Sequence, residues 1–198
     1  MFIVFEGLDG SGSSTQVKLL AENLKKIGKD VVATKEPTNG PIGKLIRDYL
    51  QHKYETGGKA LQLLFAADRS DHLYQKISPS MREGKIVISD RYFFSSIAFG
   101  ARGNLEFSWL EGLYKNDFGI PDIVFLLKVS PKECIKRIES RGNEKELFEK
   151  EEVLECVWEN YEKLAKKYDC IKIINGERSI KEIEVEVFEI VKKKLKIS

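Results

Sequence analysis

The sequence predicts an α/β fold in three layers, in which a five-stranded parallel sheet lies between helices. Five short apolar runs alternate along the chain with segments whose apolar residues recur at helical spacing. One of these runs, DIVFLLKV at 122–129, is apolar almost throughout, as expected of a strand that is buried on both faces. Strands that alternate with helices favour right-handed crossovers, so we expect helices on both faces of the sheet.

The first half of the chain supplies three of the strands. The run Phe2–Phe5 predicts the first strand, which ends in a glycine-rich turn. The helix after it, which Gly28 ends, carries apolar residues at helical spacing: Val17, Leu20, Leu24 and Ile27. A second strand, 30–35, ends at Glu36-Pro37, because proline cannot continue a hydrogen-bonded ladder. The other elements predicted in this half are helices at about 41–51 and 59–82 and a third strand at 85–90.

The second half supplies the last two strands. Helical segments at about 93–99 and 105–117 lead to the apolar strand at 122–129. The next helix opens at Pro131, since proline fits the first turn of a helix, and closes at Gly142. Residues 143–150 are almost wholly charged. The elements predicted after them are a helix to about 168, a strand at 170–174 and an amphipathic helix with Ile183, Val187, Ile190 and Leu195.

Length and composition limit the class of protein. A chain of 198 residues with 42% hydrophobic residues fits one domain, 1–198, with a sizeable core. The 33 basic and 31 acidic residues nearly balance, and the net charge of +2 gives no reason to expect a nucleic-acid or membrane partner. Charged residues, mostly Lys and Glu, make up 32% of the chain, which is typical of thermophile proteins.

The cysteines and the N-terminus favour a cytoplasmic setting. Cys134, Cys156 and Cys170 have neither the number nor the spacing of a disulfide framework or a zinc site. The apolar run at the N-terminus is too short for a signal peptide or a membrane span, and no basic region precedes it.

The stretch FEGLDGSGSSTQ, residues 5–16, has the pattern of a phosphate-binding loop except at one position. In the pattern G-x-x-x-x-G-K-[ST], Ser13 stands where lysine is expected. Glycines allow the backbone to turn successive N–H groups toward one point, and the following helix adds its positive N-terminal end. The predicted phosphate-binding residues are Gly7, Gly10, Ser11, Gly12, Ser13, Ser14 and Thr15. A plain Gly/Ser turn before a capped helix is the alternative.

Without the lysine, the bound phosphates would lack one positive charge that normally lies beside them. A charge-assisted hydrogen bond contributes roughly 1.5–3 kcal/mol, so its loss either weakens the site or requires a cation from another part of the chain. The basic residues beside the charged stretch are the candidates for this cation: Arg137, Arg141 and Lys145.

Three polar clusters each follow the end of a predicted strand. They are Gly7–Thr15, Glu36-Pro37 and Asp90-Arg91. Because the carboxyl ends of parallel strands lie at one edge of a sheet, and ligands gather there, the sequence predicts that the clusters meet in one crevice.

Several segments together resemble the thymidylate kinase family, nearly from end to end. FIVFEGLDGSGSSTQ resembles its phosphate loop, TKEP its T-R-E-P segment, LLFAADRSDH its nucleobase segment, DRYFFSSIAFGA its D-R-[YH] segment and RIESRG its lid. The resemblance implies a P-loop NTPase fold with a short lid at about 141–150. It also implies phosphoryl transfer from ATP to dTMP with Mg²⁺, and a homodimer.

The resemblance also implies roles for individual residues. Catalytic roles fall on Asp9, Arg91, Arg141 and Arg137, of which Arg137 also contacts ATP, while Ser14 and Asp90 would hold the metal. The residues implied to bind dTMP are Asp9, Glu36, Pro37, Arg47, Phe65, Arg69, Arg91, Ser96 and Phe99. Phe65 and Arg69 lie four residues apart and hence on one helix face, where the ring can stack on thymine and the guanidinium can donate to its O4. Phe99 would select deoxyribose by crowding the 2′ position.

Structural interpretations remain for the same residues. Asp9 can cap a helix, Asp90-Arg91 can be an ion pair at a strand end, and Phe65 can belong to the core. A glutamate before proline, such as Glu36, would otherwise be exposed to solvent.

The sequence departs from the family pattern at Ser13 and at Lys35, where the family usually has arginine. A monophosphate kinase with a broader choice of acceptor, and a nucleotide-binding protein that has lost catalysis, are therefore the two alternatives.

Overall fold

The computed structural model describes residues 1–102, 105–114, 118–140, 147 and 150–196. Within these residues the five strands are β1 (Phe2–Gly7), β2 (Val31–Lys35), β3 (Ile86–Asp90), β4 (Ile123–Lys128) and β5 (Ile171–Asn175). The α-helices are α1 (Ser13–Lys26), α2 (Pro41–Leu50), α3 (Gly58–His72), α4 (Ser78–Arg82), α5 (Phe93–Gly100), α6 (Phe107–Tyr114), α7 (Pro131–Glu139), α8 (Glu151–Lys167) and α9 (Ile180–Leu195). All five predicted strands and their helices are confirmed.

The sheet is parallel throughout and has the strand order β2-β3-β1-β4-β5. β1 therefore lies at the centre: the chain runs from it to β2 and β3 on one side and then crosses to β4 and β5 on the other. This is the point in an open α/β sheet at which a crevice forms beyond the carboxyl ends of the strands. The loop that follows β1 begins at this point.

Two apolar clusters fill the space on the two faces of the sheet. Phe2 and Val4 of β1 belong to the cluster under α5, α6 and α8, whereas Ile3 and Phe5 belong to the cluster under α1 and α9. Neighbouring residues of β1 thus contribute to opposite clusters, as the alternation of side chains along a strand requires. The three-layer architecture follows directly from this burial on both faces.

The helix predicted at 59–82 is divided in the structure by a turn with different hydrogen bonding. The segment predicted as a helix at 59–82 is helical throughout, but a π-helical turn at Leu73–Ile77 separates α3 from α4. Pro79 explains the change of hydrogen bonding, because a proline ring clashes with the carbonyl group four residues before it, here that of Gln75. The extra residue in the π turn accommodates this proline.

The described residues contain no helix that is both long enough and apolar enough to cross a bilayer. The predicted lid at about 141–150 falls outside the described residues except for Leu147 and Lys150.

Substitutions at two paired residues of the sheet would test how much burial in the core contributes to stability. Leu126 is fully buried, and its register partner Ile173 is 50% exposed. We expect Leu126→Ala to lower the free energy of unfolding by about 2–5 kcal/mol, because it removes buried methyl groups and leaves a cavity. Ile173→Ala should cost less than about 1 kcal/mol. Urea unfolding followed by circular dichroism measures both, and equal losses would contradict this account of the core.

Candidate functional site

A cavity opens at the carboxyl edge of the sheet, beside the loop that follows β1. The residues that line it are Asp9, Glu36, Pro37, Leu50, Gln62, Phe65, Arg69, Arg91, Tyr92, Ser95, Ser96 and Phe99. Every residue predicted to bind the acceptor is therefore in the cavity wall, with the exception of Arg47.

The loop after β1 has the backbone geometry of an anion site. Gly10 and Gly12 have φ values of +87° and +92°, which side chains other than glycine rarely adopt. At Gly10 a Cβ atom would also lie 2.6 Å from the carbonyl oxygen of Cys134 on α7, so no side chain fits there. Gly12 precedes α1, and no side chain in the described part of the protein caps that helix. At the start of α1 the N–H of Thr15 donates to the carbonyl oxygen of Gly12 at 3.1 Å, and binding of an anion by the N–H groups before it stays a prediction.

The serines and the threonine of the loop have different surroundings. Ser13 is half-buried, and Thr15 is exposed. Ser14 donates a hydrogen bond to the Asp90 carboxylate at the end of β3. Ser11 is buried, and its hydroxyl has no hydrogen-bond partner among the described residues.

Ser14 and Asp90, the predicted metal ligands, are in contact and offer oxygen atoms. Asp90 Oδ2 accepts the bond from Ser14, while Oδ1 is buried without a hydrogen-bond partner in the described ranges. Mg²⁺ takes oxygen ligands and commonly binds through one or two protein groups together with substrate phosphates. This pair fits such an ion.

Arg91 joins the loop to the cavity. Its Nη2 lies 2.5 Å from Oδ1 of Asp9, and its Nη1 donates to the carbonyl oxygen of Gly7 at 3.0 Å and to the Ser95 hydroxyl at 2.9 Å. The guanidinium carbon also lies 5.1 Å from the centre of the Phe99 ring. A cation is thus held between the loop that follows β1 and the cavity.

A buried carboxylate, Glu6, is connected to this arginine through a hydrogen-bonded serine. It accepts hydrogen bonds from the backbone N–H of Tyr92 at 2.9 Å and of Ser95 at 3.3 Å, and from the hydroxyls of Ser95 and Tyr161. Ser95 therefore connects Glu6 to Arg91. Burial raises the pKa of Glu6 to about 7, although the charge of Arg91 and these hydrogen bonds act to lower it.

A second buried arginine, Arg69, lies deeper in the cavity. Its Nε donates to Glu36 Oε2 at 2.7 Å, and its Nη2 donates to the Ser96 hydroxyl at 3.1 Å. The guanidinium carbon lies 5.3 Å and 4.9 Å from the ring centres of Tyr92 and Tyr114. Burial acts to lower the pKa of Arg69, but the neighbouring Glu36 carboxylate raises it above its ordinary value. The charge of Arg69 is therefore retained inside the protein.

Glu36 is buried, so the interpretation that it is an exposed residue before a proline is wrong. Its second oxygen lies 3.0 Å from Nδ1 of His72, whose Nε2 lies 2.7 Å from the Thr34 hydroxyl. With both oxygens engaged by protein groups, Glu36 orients Arg69. Its predicted contact with dTMP stays a prediction.

Phe65 and Arg47 have different positions relative to the cavity. Phe65 is half-buried, packs against the core and lines the cavity, so the core and stacking interpretations are compatible. Arg47 donates from Nη1 to the carbonyl oxygens of Pro37 at 3.1 Å and Thr38 at 2.6 Å. It thereby braces the segment that follows β2, and its predicted contact with the acceptor phosphate stays a prediction.

The candidates for the missing cation are not all within the described residues. Arg137 on α7 donates to Glu133 at 2.9 Å and to the carbonyl oxygen of Gly176 at 3.3 Å. It lines a separate cavity with Ser130 and Glu177, so the structure does not place it among the residues around Asp9 and Arg91. Arg141 and Lys145 lie outside the described residues.

The sequence analysis did not single out several residues of this site, among them Glu6, Gln62 and Ser95. Gln62 is three residues before Phe65 and seven before Arg69, a spacing that puts all three on one face of α3. That periodicity would have identified Gln62. Glu6 carries no comparable signal, because its partners come from distant parts of the chain.

The parallel sheet, the uncapped glycine loop after its central strand and the adjoining cavity together define a nucleotide-binding protein of the P-loop class. Comparisons with known proteins narrow this class. A family profile described as Thymidylate kinase matches residues 5–187. The chain belongs to the thymidylate kinase family of enzymes.

The sequences of individual relatives align with this chain over nearly their whole length. A probable thymidylate kinase of Thermococcus onnurineus is 45% identical, with 98% of each chain covered. A thymidylate kinase of Desulfotalea psychrophila is 41% identical, with 99% of this chain and 96% of the relative covered. A probable thymidylate kinase of Methanocaldococcus jannaschii is 39% identical, with 94% and 93% covered.

The raised pKa of Glu6 predicts a pH dependence of stability. Because the folded protein binds this proton more tightly than the unfolded chain, the free energy of unfolding should fall as the pH rises from about 4.5 to about 7. The fall attributable to Glu6 is roughly 3 kcal/mol at most. Glu6→Gln cannot ionise and should lose this slope, which urea unfolding at a series of pH values measures. The same slope in both proteins would contradict the assignment.

Proposed function

We propose that this protein transfers the γ-phosphate of Mg·ATP to the 5′-phosphate of dTMP and so produces dTDP. The observation that carries the proposal is the position of Arg91, whose guanidinium contacts the phosphate loop through Gly7 and Asp9 and also lines the acceptor cavity. The family of the chain supports the same reaction. An oxygen of the acceptor phosphate would attack the γ-phosphorus while the bond to the β-phosphate oxygen breaks, with no covalent enzyme intermediate.

Phosphoryl transfer requires mainly positioning and neutralisation of charge. The N–H groups of the loop after β1 and the N-terminal end of α1 would bind the phosphates of ATP. Ser14 and Asp90 would hold Mg²⁺, which would offset the charge of the phosphates. Asp9 and Arg91 form an ion pair at 2.5 Å in this structure, and an acceptor phosphate would take over part of the guanidinium of Arg91.

The deeper part of the cavity would bind the thymine base. Phe65 offers a ring for stacking, and Arg69 presents its Nη1, a buried donor without a hydrogen-bond partner among the described residues. This donor suits the O4 carbonyl of thymine and opposes the amino group that cytosine carries at the same position. Phe99, whose ring lies beside Arg91, would exclude a 2′-hydroxyl. The homodimer implied by the family stays a prediction.

An acceptor panel tests the proposal. With Mg·ATP, the purified protein should phosphorylate dTMP with a kcat/KM at least about tenfold above that for dCMP, because Arg69 cannot pair with an amino group. A coupled assay of ADP release at moderate and high temperature, with dTMP, dUMP, dCMP and dGMP, measures this ratio. Similar values for all four acceptors would support the broader monophosphate kinase instead. Binding of ATP and dTMP without any transfer would support a protein that has lost catalysis.

The role of Ser13 is a separate part of the proposal. We propose that the loop works with serine at this position because the backbone N–H groups, the end of α1 and a cation from elsewhere neutralise the phosphates.

Restoring a lysine at this position tests that idea. Ser13→Lys should change kcat with dTMP by less than about tenfold, or lower it, if the chemistry has adapted to serine. Ser70→Lys, the same substitution at an exposed position on α3 that does not line the cavity, controls for the added charge. A gain of more than about a hundredfold over a near-inactive parent would show instead that the missing lysine had abolished catalysis.

A further inference from the structure

Two buried polar atoms in the acceptor cavity lack hydrogen-bond partners among the described residues. They are Oε1 of Gln62 and Nη1 of Arg69. The two residues are 3% and 1% exposed, and both line the same cavity. A buried polar atom without a partner is costly in a folded protein, so such atoms point to a ligand that supplies the partner. Here one atom accepts a hydrogen bond and the other donates one.

The fold fixes the guanidinium of Arg69 so that only this donor is available. Nε is taken by Glu36 and Nη2 by the Ser96 hydroxyl, while the rings of Tyr92 and Tyr114 lie on the guanidinium. Arg69 therefore cannot turn to satisfy Nη1 without breaking a buried ion pair. The remaining donor points to a ligand carbonyl group.

Gln62 is placed by its helix and by a glycine. It lies on the same face of α3 as Phe65 and Arg69, three and seven residues before them. A Cβ atom at Gly100, the last residue of α5, would lie 3.0 Å from Cδ of Gln62 and from both Cδ atoms of Leu110. Glycine at position 100 thus lets the side chains of Gln62 and Leu110 pack against the end of α5.

We propose that Gln62 is a further specificity-determining residue, whose amide oxygen accepts the N3–H of the acceptor base. This inference rests on the proposed function, since it assumes a thymine in the cavity. Arg69 Nη1 donates to O4 of the base, and the neighbouring N3–H is donated to Gln62 Oε1. The two residues therefore read a carbonyl and an adjacent imino group as a pair.

The pair discriminates more strongly than Arg69 alone. Thymine and uracil present an acceptor followed by a donor along this edge, whereas cytosine presents an amino donor followed by a ring nitrogen acceptor. Cytosine would thus place donor against donor at Arg69 and acceptor against acceptor at Gln62. Sites built to hydrogen-bond a substrate reject analogues that leave their buried polar groups unpaired.

The test replaces Gln62 by leucine, which has a similar size and no polar atom. Gln62→Leu should raise KM for dTMP about tenfold, leave KM for ATP within about twofold, and reduce the preference for dTMP over dCMP about tenfold. Gln75→Leu makes the same chemical change at an exposed position on the π-helical turn and should alter none of these values.

A second measurement needs no variant and so does not depend on folding of the mutant. The wild-type protein should use 3-methylthymidine 5′-monophosphate, which lacks the N3–H, at least about a hundredfold less well than dTMP.

The outcomes separate this inference from the proposed function. If the wild-type protein forms dTDP but Gln62→Leu keeps the ratio of dTMP to dCMP within twofold, the role of Gln62 is overturned and the kinase remains. Equal use of dTMP and its N3-methyl analogue by the wild type would overturn it as well. If the wild-type protein forms no dTDP, the proposed function itself is wrong, and the base-reading pair is overturned with it.

Discussion

The central position of β1 is the constraint on which the rest of the molecule depends. This strand pairs with β3 on one side and β4 on the other, and its residues supply both apolar clusters. Because the sheet is parallel, the ends of β1, β2 and β3 lie at one edge, and the glycine loop, Glu36 and Asp90-Arg91 come together there. The groups proposed to hold phosphate and metal are thus brought together by the order of the strands.

Within this frame, the cavity is organised around two guanidinium groups, each held by a carboxylate. Arg69 is paired with Glu36 and fully enclosed, whereas Arg91 is paired with Asp9, which is 30% exposed in its side chain. The difference suits their proposed tasks, because a buried pair holds a fixed direction while a pair near solvent can exchange partners with an incoming phosphate. Glu6 adds a further carboxylate behind Arg91, connected through Ser95.

The sequence predicted the fold well, because apolar periodicity and turn residues report local structure directly. It also predicted which strand ends carry the cavity, and all of the proposed acceptor contacts except Arg47 line its wall. The burial of Glu36 could not be read from its neighbours, since the partners that make it possible, Arg69 and His72, come from α3. Glu6 likewise depends on Ser95 and Tyr161, which are 89 and 155 residues away. The catalytic role of Arg141 and the lid around it stay predictions.

The hydrogen bonds that run from Thr34 through His72 and Glu36 to Arg69 bear on how base preference could change during evolution or by design. Replacing Arg69 alone would leave Glu36 as a buried charge without its main partner, which typically costs several kcal/mol. A chain that adopted another base would therefore have to alter arginine, glutamate and histidine together. On the proposed role of Arg69, single substitutions in this chain of hydrogen bonds would lower stability, and the choice of acceptor would be protected by the folding requirement of the protein itself.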